Sequence, residues 1–298
     1  MNEATRGMGL GALADRIGPD RVVGLPVGEV RSLTYDSRRV TPGSLFFAVP
    51  GVHTDGHQFV DAAIEAGALG VVVEAERPRL RVPQLVVANS RHALADAADL
   101  WFDAPTRTLE TIGVTGTNGK TTVAWLISQL LIAAGRRPGL LGTVWQRVGD
   151  ETTDNLSRAT TPEALELQEL LAAMLAAGND TAVIESSSHG LALGRTRNCR
   201  YRSGIVTNLT HEHLEFHGSF EAYRAAKALL VFGGLQVVDL WAAGLRDNGF
   251  GRLIVLLVLG GAGVFTYLAA ATALRSHELG EMRRLMRGRF GRGREAKA

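Results

Sequence analysis

Ten residues constrain this chain more than any others: Gly113-Val114-Thr115-Gly116-Thr117-Asn118-Gly119-Lys120-Thr121-Thr122. An apolar run over 109–114 leads into them and reads as a buried strand, and a helical pattern over 123–134 leads out. A strand, a glycine-rich turn and Lys-Thr at a helix start make a phosphate-binding loop. Its backbone N–H groups face phosphate oxygens, and the helix N-terminus adds its positive dipole end. Lys120 is expected to reach the terminal phosphates and the Thr121 hydroxyl to hold Mg²⁺. The strict pattern has glycine where Val114 stands, so this loop is a variant, G-T-N-G-K-T-T.

At 298 residues the length suggests about two domains. A hydrophobic share of 46% is enough for a real core, and a net charge of +2 gives no global pointer to nucleic acid. The single cysteine, Cys199, excludes an intrachain disulfide and fits a reducing compartment. Residues 1–18 lack the continuous apolar core of a signal peptide, so the front of the protein is expected in the cytoplasm.

A strand running into a turn at 30–38 and strand patterns at 44–49, 70–74 and 84–88 alternate with helical ones at 58–66 and 92–102, which makes residues 1–105 a small α/β domain. A second domain, 106–230, opens with the phosphate loop. Its expected strands are 140–147, 181–185 and 203–207, and its expected helices are 162–177 and 220–230. Thr161 is expected to cap the first of these helices, with Pro162 at its first position. This order implies a parallel sheet with functional groups at the strand C-termini. Glu185, ending a buried strand, is placed to hold Mg²⁺ directly or at one remove. Ser186, Ser187 and Ser188 read as a hydroxyl-bearing loop beside it, followed by Asn208 and His213 after the next strand and Lys227 on the last helix.

Residues 231–298 change character. The 22 residues 253–274 carry no charge and lie between Arg252 and Arg275, the length of a membrane-spanning helix. A buried core helix is the alternative. The tail beyond holds seven Arg and one Lys against three Glu, a signal for a cytoplasmic C-terminus. One span cannot put both the nucleotide loop and this tail in the cytoplasm. Either 228–245 makes a second, poorer span despite Gln236 and Asp239, or one end is misplaced.

Six segments carry a resemblance: YDSRRVTPGSLFFAVPG (35–51), DGHQFVDAAIEAG (55–67), GVTGTNGKTTV (113–123), TTPEALELQ (160–168), ESSSHGLALGR (185–195) and TNLTHEHLEFHGSFEAYRAAK (207–227). In this order they resemble the Mur ligases, the ATP-dependent amino-acid ligases of peptidoglycan precursor synthesis. The last three resemble the members that add the third peptide residue to UDP-N-acetylmuramoyl-L-alanyl-D-glutamate. The resemblance implies a UDP-substrate-binding α/β domain followed by a truncated, parallel-sheet ATPase domain. It implies that Tyr35, Asp36 and Ser37, with His53 and Thr54, hold the UDP part. Gly116, Thr117, Asn118, Gly119, Lys120, Thr121 and Thr122 would hold ATP. Thr160, Thr161, Ser187 and Arg195 would contact the muramoyl dipeptide. Thr121, Glu185 and His213 would be Mg²⁺ ligands, joined by Lys227 as a carbamate. Lys120, Glu185, His213 and Lys227 would be the catalytic set. The implied reaction phosphorylates the glutamyl carboxylate from ATP, and diaminopimelate or lysine then displaces phosphate to form the amide.

The sequence departs from that pattern in places. Glu212 and Glu215 stand where the family carries Asp, and Leu193 where some members carry a polar contact. Beyond Lys227 the resemblance stops, and the family's Asp-Asn-Pro-Arg motif is absent. The last fifty or so residues weakly resemble the end of a lipid-linked-precursor flippase. The expectation is therefore a ligase front half, catalytically incomplete and joined or truncated at the gene level. The alternatives are a membrane-tethered UDP-sugar-binding or scaffold protein and an ordinary phosphate-loop ATPase.

Overall fold

Two large sheets, each fed by an alternation of strands and helices, and one two-stranded sheet make up the computed structural model, which describes residues 7–51, 54–156, 159–210 and 212–234. All of these lie in one compact unit, Met1–Gln236.

The first sheet follows directly from its apolar runs. It begins after β1 (Met8–Gly9) and α1 (Leu10–Ile17). Its strands are β2 (Arg21–Val23), β4 (Ser32–Thr34), β5 (Ser44–Phe47), β6 (Gly70–Val73) and β7 (Gln84–Val86), in the order β2-β7-β6-β5-β4. Strands β4 to β7 run parallel, and β2 is antiparallel to β7. A short β3 (Glu29–Val30) pairs with β1. Every residue of β5 and β6 is buried, as strands covered on both faces require. The pleat sends Leu45 and Phe47 to one face, where Leu10, Leu13 and Leu94 of α1 and α3 (Ser90–Trp101) pack, and Phe46 to the other, against Val60 and Ala63 of α2 (Val60–Glu65).

The second sheet carries the phosphate loop. It runs through β8 (Glu110–Thr115), α4 (Lys120–Ala133), β9 (Pro138–Leu141), β10 (Trp145–Val148), β11 (Glu151–Asp154), α5 (Ala164–Ala176), β12 (Thr181–Glu185), α6 (Ser188–Ala192), β13 (Tyr201–Val206), α7 (Leu214–His217) and α8 (Phe220–Gly234). The strand order is β11-β10-β9-β12-β8-β13. Strands β9, β12, β8 and β13 are parallel, and β10 is antiparallel to both its neighbours. Because β12 inserts between β8 and β9, the loops after β8 and β12 leave the sheet side by side at its C-terminal edge. That is where open α/β sheets bind ligands.

Three local expectations need correction. The run 140–147 is not one strand: β9 ends at Leu141 and the chain reverses, with Gly142 N–H bonded to the Trp145 carbonyl at 3.0 Å. A Cβ at Gly142 would collide with Glu185 Oε1, so the turn is set by a carboxylate distant in sequence. Thr161 does not cap α5, which starts at Ala164 with Glu163 in the cap position and no side-chain cap bond. The Thr161 hydroxyl is committed elsewhere, donating to the Glu185 carbonyl at 2.9 Å. Ser188 is not in a loop but opens α6, and the Ser187 hydroxyl accepts from Gly190 N–H as its N-cap.

No helix among the described residues is long and apolar enough to cross a membrane. The expected span at 253–274, the second one at 228–245 beyond Gly234, and the basic tail lie outside the described residues.

Candidate functional site

The loop between β8 and α4 holds its shape through the segment after β13. Gly116 adopts φ +147° and Gly119 φ +81°, both strained for a side-chain-bearing residue, and a Cβ at Gly116 would run into the Thr207 hydroxyl. Thr117 N–H donates to the Asn208 carbonyl at 2.9 Å, and Asn118 N–H to Asn208 Oδ1 at 3.0 Å. Asn208 Nδ2 returns a bond to the Asn118 carbonyl at 3.0 Å. The Thr117 hydroxyl, buried, lies 2.7 Å from Tyr223 OH of α8. Thr122 is exposed in the first turn of α4.

Two lysines converge on this loop. Lys120 Nζ donates to the carbonyls of Gly116 (2.8 Å) and Thr117 (2.9 Å), and Lys227 Nζ donates to Gly116 O at 2.8 Å. Burial lowers both pKa values, that of Lys227 to about 8 with Lys120 adding repulsion; Glu185 and Glu212 oppose the shift at Lys120. Lys227 also sits 4.7 Å from the centroid of the Tyr223 ring.

Glu185, 1% exposed, faces the same loop. Its Oε2 accepts from Thr121 Oγ1 at 3.0 Å, and its Oε1 from Thr143 N–H at 3.1 Å. The Thr143 hydroxyl lies 3.0 Å from both Glu185 Oε2 and Thr160 Oγ1. Thr143 is a site residue that sequence reasoning missed, hidden inside what reads as a continuous strand. Among the described residues Glu185 has neutral hydrogen-bond donors and no ion-pair partner. A buried carboxylate so placed, beside the Thr121 and Thr143 hydroxyls, fits a hard divalent cation with oxygen ligands.

His213 is placed differently. It adopts φ +56° at the start of α7, with Nδ1 3.5 Å from Glu215 Oε1 and Nε2 3.9 Å from Glu212 Oε2. Its ring meets that of His189 edge-on at 4.8 Å, and His189 lies 4.1 Å from the Phe216 ring. No hydrogen bond or ion pair joins His213 to Glu185 among the described residues, and no group of three or more His, Cys, Asp or Glu there could hold a metal ion.

The residues expected to contact a dipeptide do come together. Thr161 Oγ1 is 3.1 Å from Ser187 Oγ and accepts from Ser187 N–H at 2.9 Å. Arg195 donates from one terminal nitrogen to the Thr161 carbonyl at 2.9 Å and pairs through the other with Glu163 at 2.7 Å. Across the seam between the sheets, Tyr35 OH donates to Glu166 Oε1 at 2.9 Å. Its pKa is pushed up, first by burial and then by Glu166. Ser37 starts a single 3-10 turn capped by Asp36, and the Thr54 carbonyl accepts from Gly51 N–H at 2.9 Å. Both lie on loops of the first sheet; His53 lies outside the described residues.

The fold and this edge define a phosphate-loop α/β protein. Residues 29–101 match the profile of the Mur ligase family, catalytic domain, and residues 114–238 that of the Mur ligase middle domain. The chain belongs to the Mur ligase family. It is 47% identical over 203 residues to the UDP-N-acetylmuramoyl-L-alanyl-D-glutamate–2,6-diaminopimelate ligase of Geobacillus thermodenitrificans, an alignment covering 68% of this chain and 41% of that one. It is 47% identical over 206 residues to a UDP-N-acetylmuramyl-tripeptide synthetase of a Roseiflexus species, covering 68% and 40%. A solved diaminopimelate ligase of the same name superposes with a TM-score of 0.61 at 31% identity, over 72% of this chain and 44% of the other. MurF from Acinetobacter baumannii shares the fold at 20% identity, with a TM-score of 0.56 over 78% and 48%. The chain thus spans about two fifths of the length of the curated relatives it matches.

Proposed function

We propose that this chain holds Mg-ATP and UDP-N-acetylmuramoyl-L-alanyl-D-glutamate side by side, for the ligase reaction that adds diaminopimelate or lysine in peptidoglycan precursor synthesis. The carrying observation is that Thr121 of the phosphate loop and Thr160 of the substrate segment meet on one buried carboxylate network, Glu185–Thr143. This juxtaposes the phosphate and dipeptide sites at one sheet edge, which an ordinary phosphate-loop ATPase has no need to do. The names and identities of the relatives support the choice of substrate.

In this reading the amides of Gly119, Lys120 and Thr121 at the start of α4 and the Lys120 ammonium bind the ATP phosphates, Lys120 releasing its contacts to Gly116 O and Thr117 O to do so. Thr121 and Glu185 would hold Mg²⁺, which when bound neutralises charge on the phosphates. Thr160, Thr161, Ser187 and Arg195 orient the dipeptide so that its glutamyl carboxylate faces the γ-phosphate. The carboxylate oxygen attacks phosphorus, ADP leaves, and an amine then displaces phosphate from the acyl phosphate. Lys227, a neutral amine above about pH 8, is suited to take up CO₂ and become an anionic carbamate. His213 belongs to this proposal as a further Mg²⁺ ligand, reached by movement of the segment around α7. The separation into a UDP-binding domain at 1–105 and an ATP-binding domain at 106–230 belongs to the same proposal, as does a cytoplasmic location for both.

The test is nucleotide titration by calorimetry. ADP binding strengthened by Mg²⁺ in the wild type and lost in Lys120→Ala is expected. Unchanged affinity in Lys120→Ala removes the loop from the function.

A further inference from the structure

Glu163 stands between two arginines that come from different parts of the chain. Its Oε2 accepts from Arg91 of α3 at 2.7 Å, and its Oε1 pairs with Arg195 at 2.7 Å. Each arginine is forked. Arg91 uses its other terminal nitrogen on the Pro50 carbonyl at 2.7 Å, and Arg195 uses its own on the Thr161 carbonyl at 2.9 Å. The result is one continuous chain of charge-assisted bonds: Pro50 carbonyl, Arg91, Glu163, Arg195, Thr161 carbonyl. All three side chains are largely buried, at 14%, 17% and 22% exposure.

The ends of this chain matter. Pro50 lies on the first sheet's side of the chain, where it pairs in an isolated bridge with Asp55, next to Thr54. Thr161 and Arg195 belong to the cluster at the edge of the second. Arg195 Nε is buried without a hydrogen-bond partner among the described residues, so the orientation of the guanidinium rests on its bonds to Glu163 and the Thr161 carbonyl. Glu166, whose Oε2 is likewise buried and unpartnered, faces the same seam and bonds Tyr35. This cluster sets two arginines against two glutamates and is close to neutral. Glu163 then acts through direction rather than through net charge: it fixes the plane of Arg195.

We infer that Glu163 is a positioning residue that aims Arg195 at the peptide part of the UDP-linked substrate and ties that aim to the Pro50 loop. The inference rests on the ligase reading above and extends it to a residue that touches no substrate. A carboxylate is required because it alone accepts from both arginines. Glutamine offers one acceptor oxygen and turns an NH₂ toward the other guanidinium.

The test measures dissociation constants of the full chain for two ligands, UDP-N-acetylmuramic acid and UDP-N-acetylmuramoyl-L-alanyl-D-glutamate. Glu163→Gln should weaken the dipeptide ligand about tenfold while changing the peptide-free ligand by less than about twofold, the loss expected for one misaligned charge-assisted contact. Arg91→Met, which frees the Pro50 loop, should weaken both ligands alike. If Glu163→Gln does not fold, Glu163→Asp serves: it keeps the charge between the arginines but is too short to reach both, and it should show the same selective loss. Equal loss for both ligands in the Glu163 variants, or no loss for either, overturns the inference. A wild-type chain that binds neither ligand overturns the ligase reading itself, and this inference with it.

Discussion

Lys227 and Lys120 donate to the same carbonyl oxygen, that of Gly116, each at 2.8 Å. Two full ammonium charges on one acceptor in a buried setting are mutually unfavourable, and burial together with the neighbouring Lys120 charge lowers the Lys227 pKa to about 8. The folded-state value lies below the ordinary 10.5. Between those two values the unfolded chain binds the proton and the folded chain does not, so stability rises with pH across that window. Below about pH 8 the group costs stability in full, by an amount on the order of a few kcal/mol. Lys227→Met should flatten the rise in urea-unfolding stability between pH 8 and 10.5. A rise equally steep in the variant would show that the slope comes from other groups.

The same neutral amine should react with CO₂. With ¹³C-bicarbonate, a carbamate carbonyl resonance should appear in the wild type and be missing from Lys227→Arg. A signal that persists in the variant would place the carbamate elsewhere.

Thr143 offers Glu185 both an N–H and a hydroxyl. Thr143→Val keeps the shape and the N–H but removes the hydroxyl, leaving Glu185 less firmly oriented. The Mg²⁺ concentration for half-maximal strengthening of ADP binding should rise roughly tenfold or more, the effect of about one hydrogen bond to a charged group. Metal-free ADP affinity should stay constant, and Thr143→Ser should restore the wild-type value. A fall in metal-free affinity as large as the Mg²⁺ effect would make Thr143 a support of the loop alone.

Much of this arrangement is legible in the sequence because it rests on local chemistry. The buried strand before Gly116, the glycines of the turn and the acid at the end of β12 each follow from a run or a residue type. What escapes is set by partners distant in the chain. Thr161 reads as a helix cap until the Glu185 carbonyl, 24 residues on, is seen to take its hydroxyl. Gly142 reads as part of a strand because the Glu185 carboxylate that fills the space beside it is invisible locally. Nothing in the local sequence singles out Glu163, and only the fold brings Arg91 and Arg195 to it.

Gly190 illustrates the same dependence from the other side. It lies within α6, and a Cβ there would come within 2.7 Å of Thr161 Cβ. Gly190→Ala should force Thr161 away from Ser187 and lower stability by about 1–3 kcal/mol, the usual effect of overpacking. It should also weaken UDP-dipeptide binding. Thermal unfolding alongside ligand titration checks both; a variant with wild-type stability would show that Thr161 can move freely.

In the proposed reading nucleotide and UDP-dipeptide occupy neighbouring sites on one sheet edge at the same time. Titrating UDP-N-acetylmuramoyl-L-alanyl-D-glutamate into the chain saturated with Mg²⁺ and a non-hydrolysable ATP analogue measures it. A ternary complex with one of each ligand bound is expected, with loss of the nucleotide alone in Lys120→Ala. Nucleotide binding without UDP-dipeptide binding, or binding of the two in competition, would contradict it.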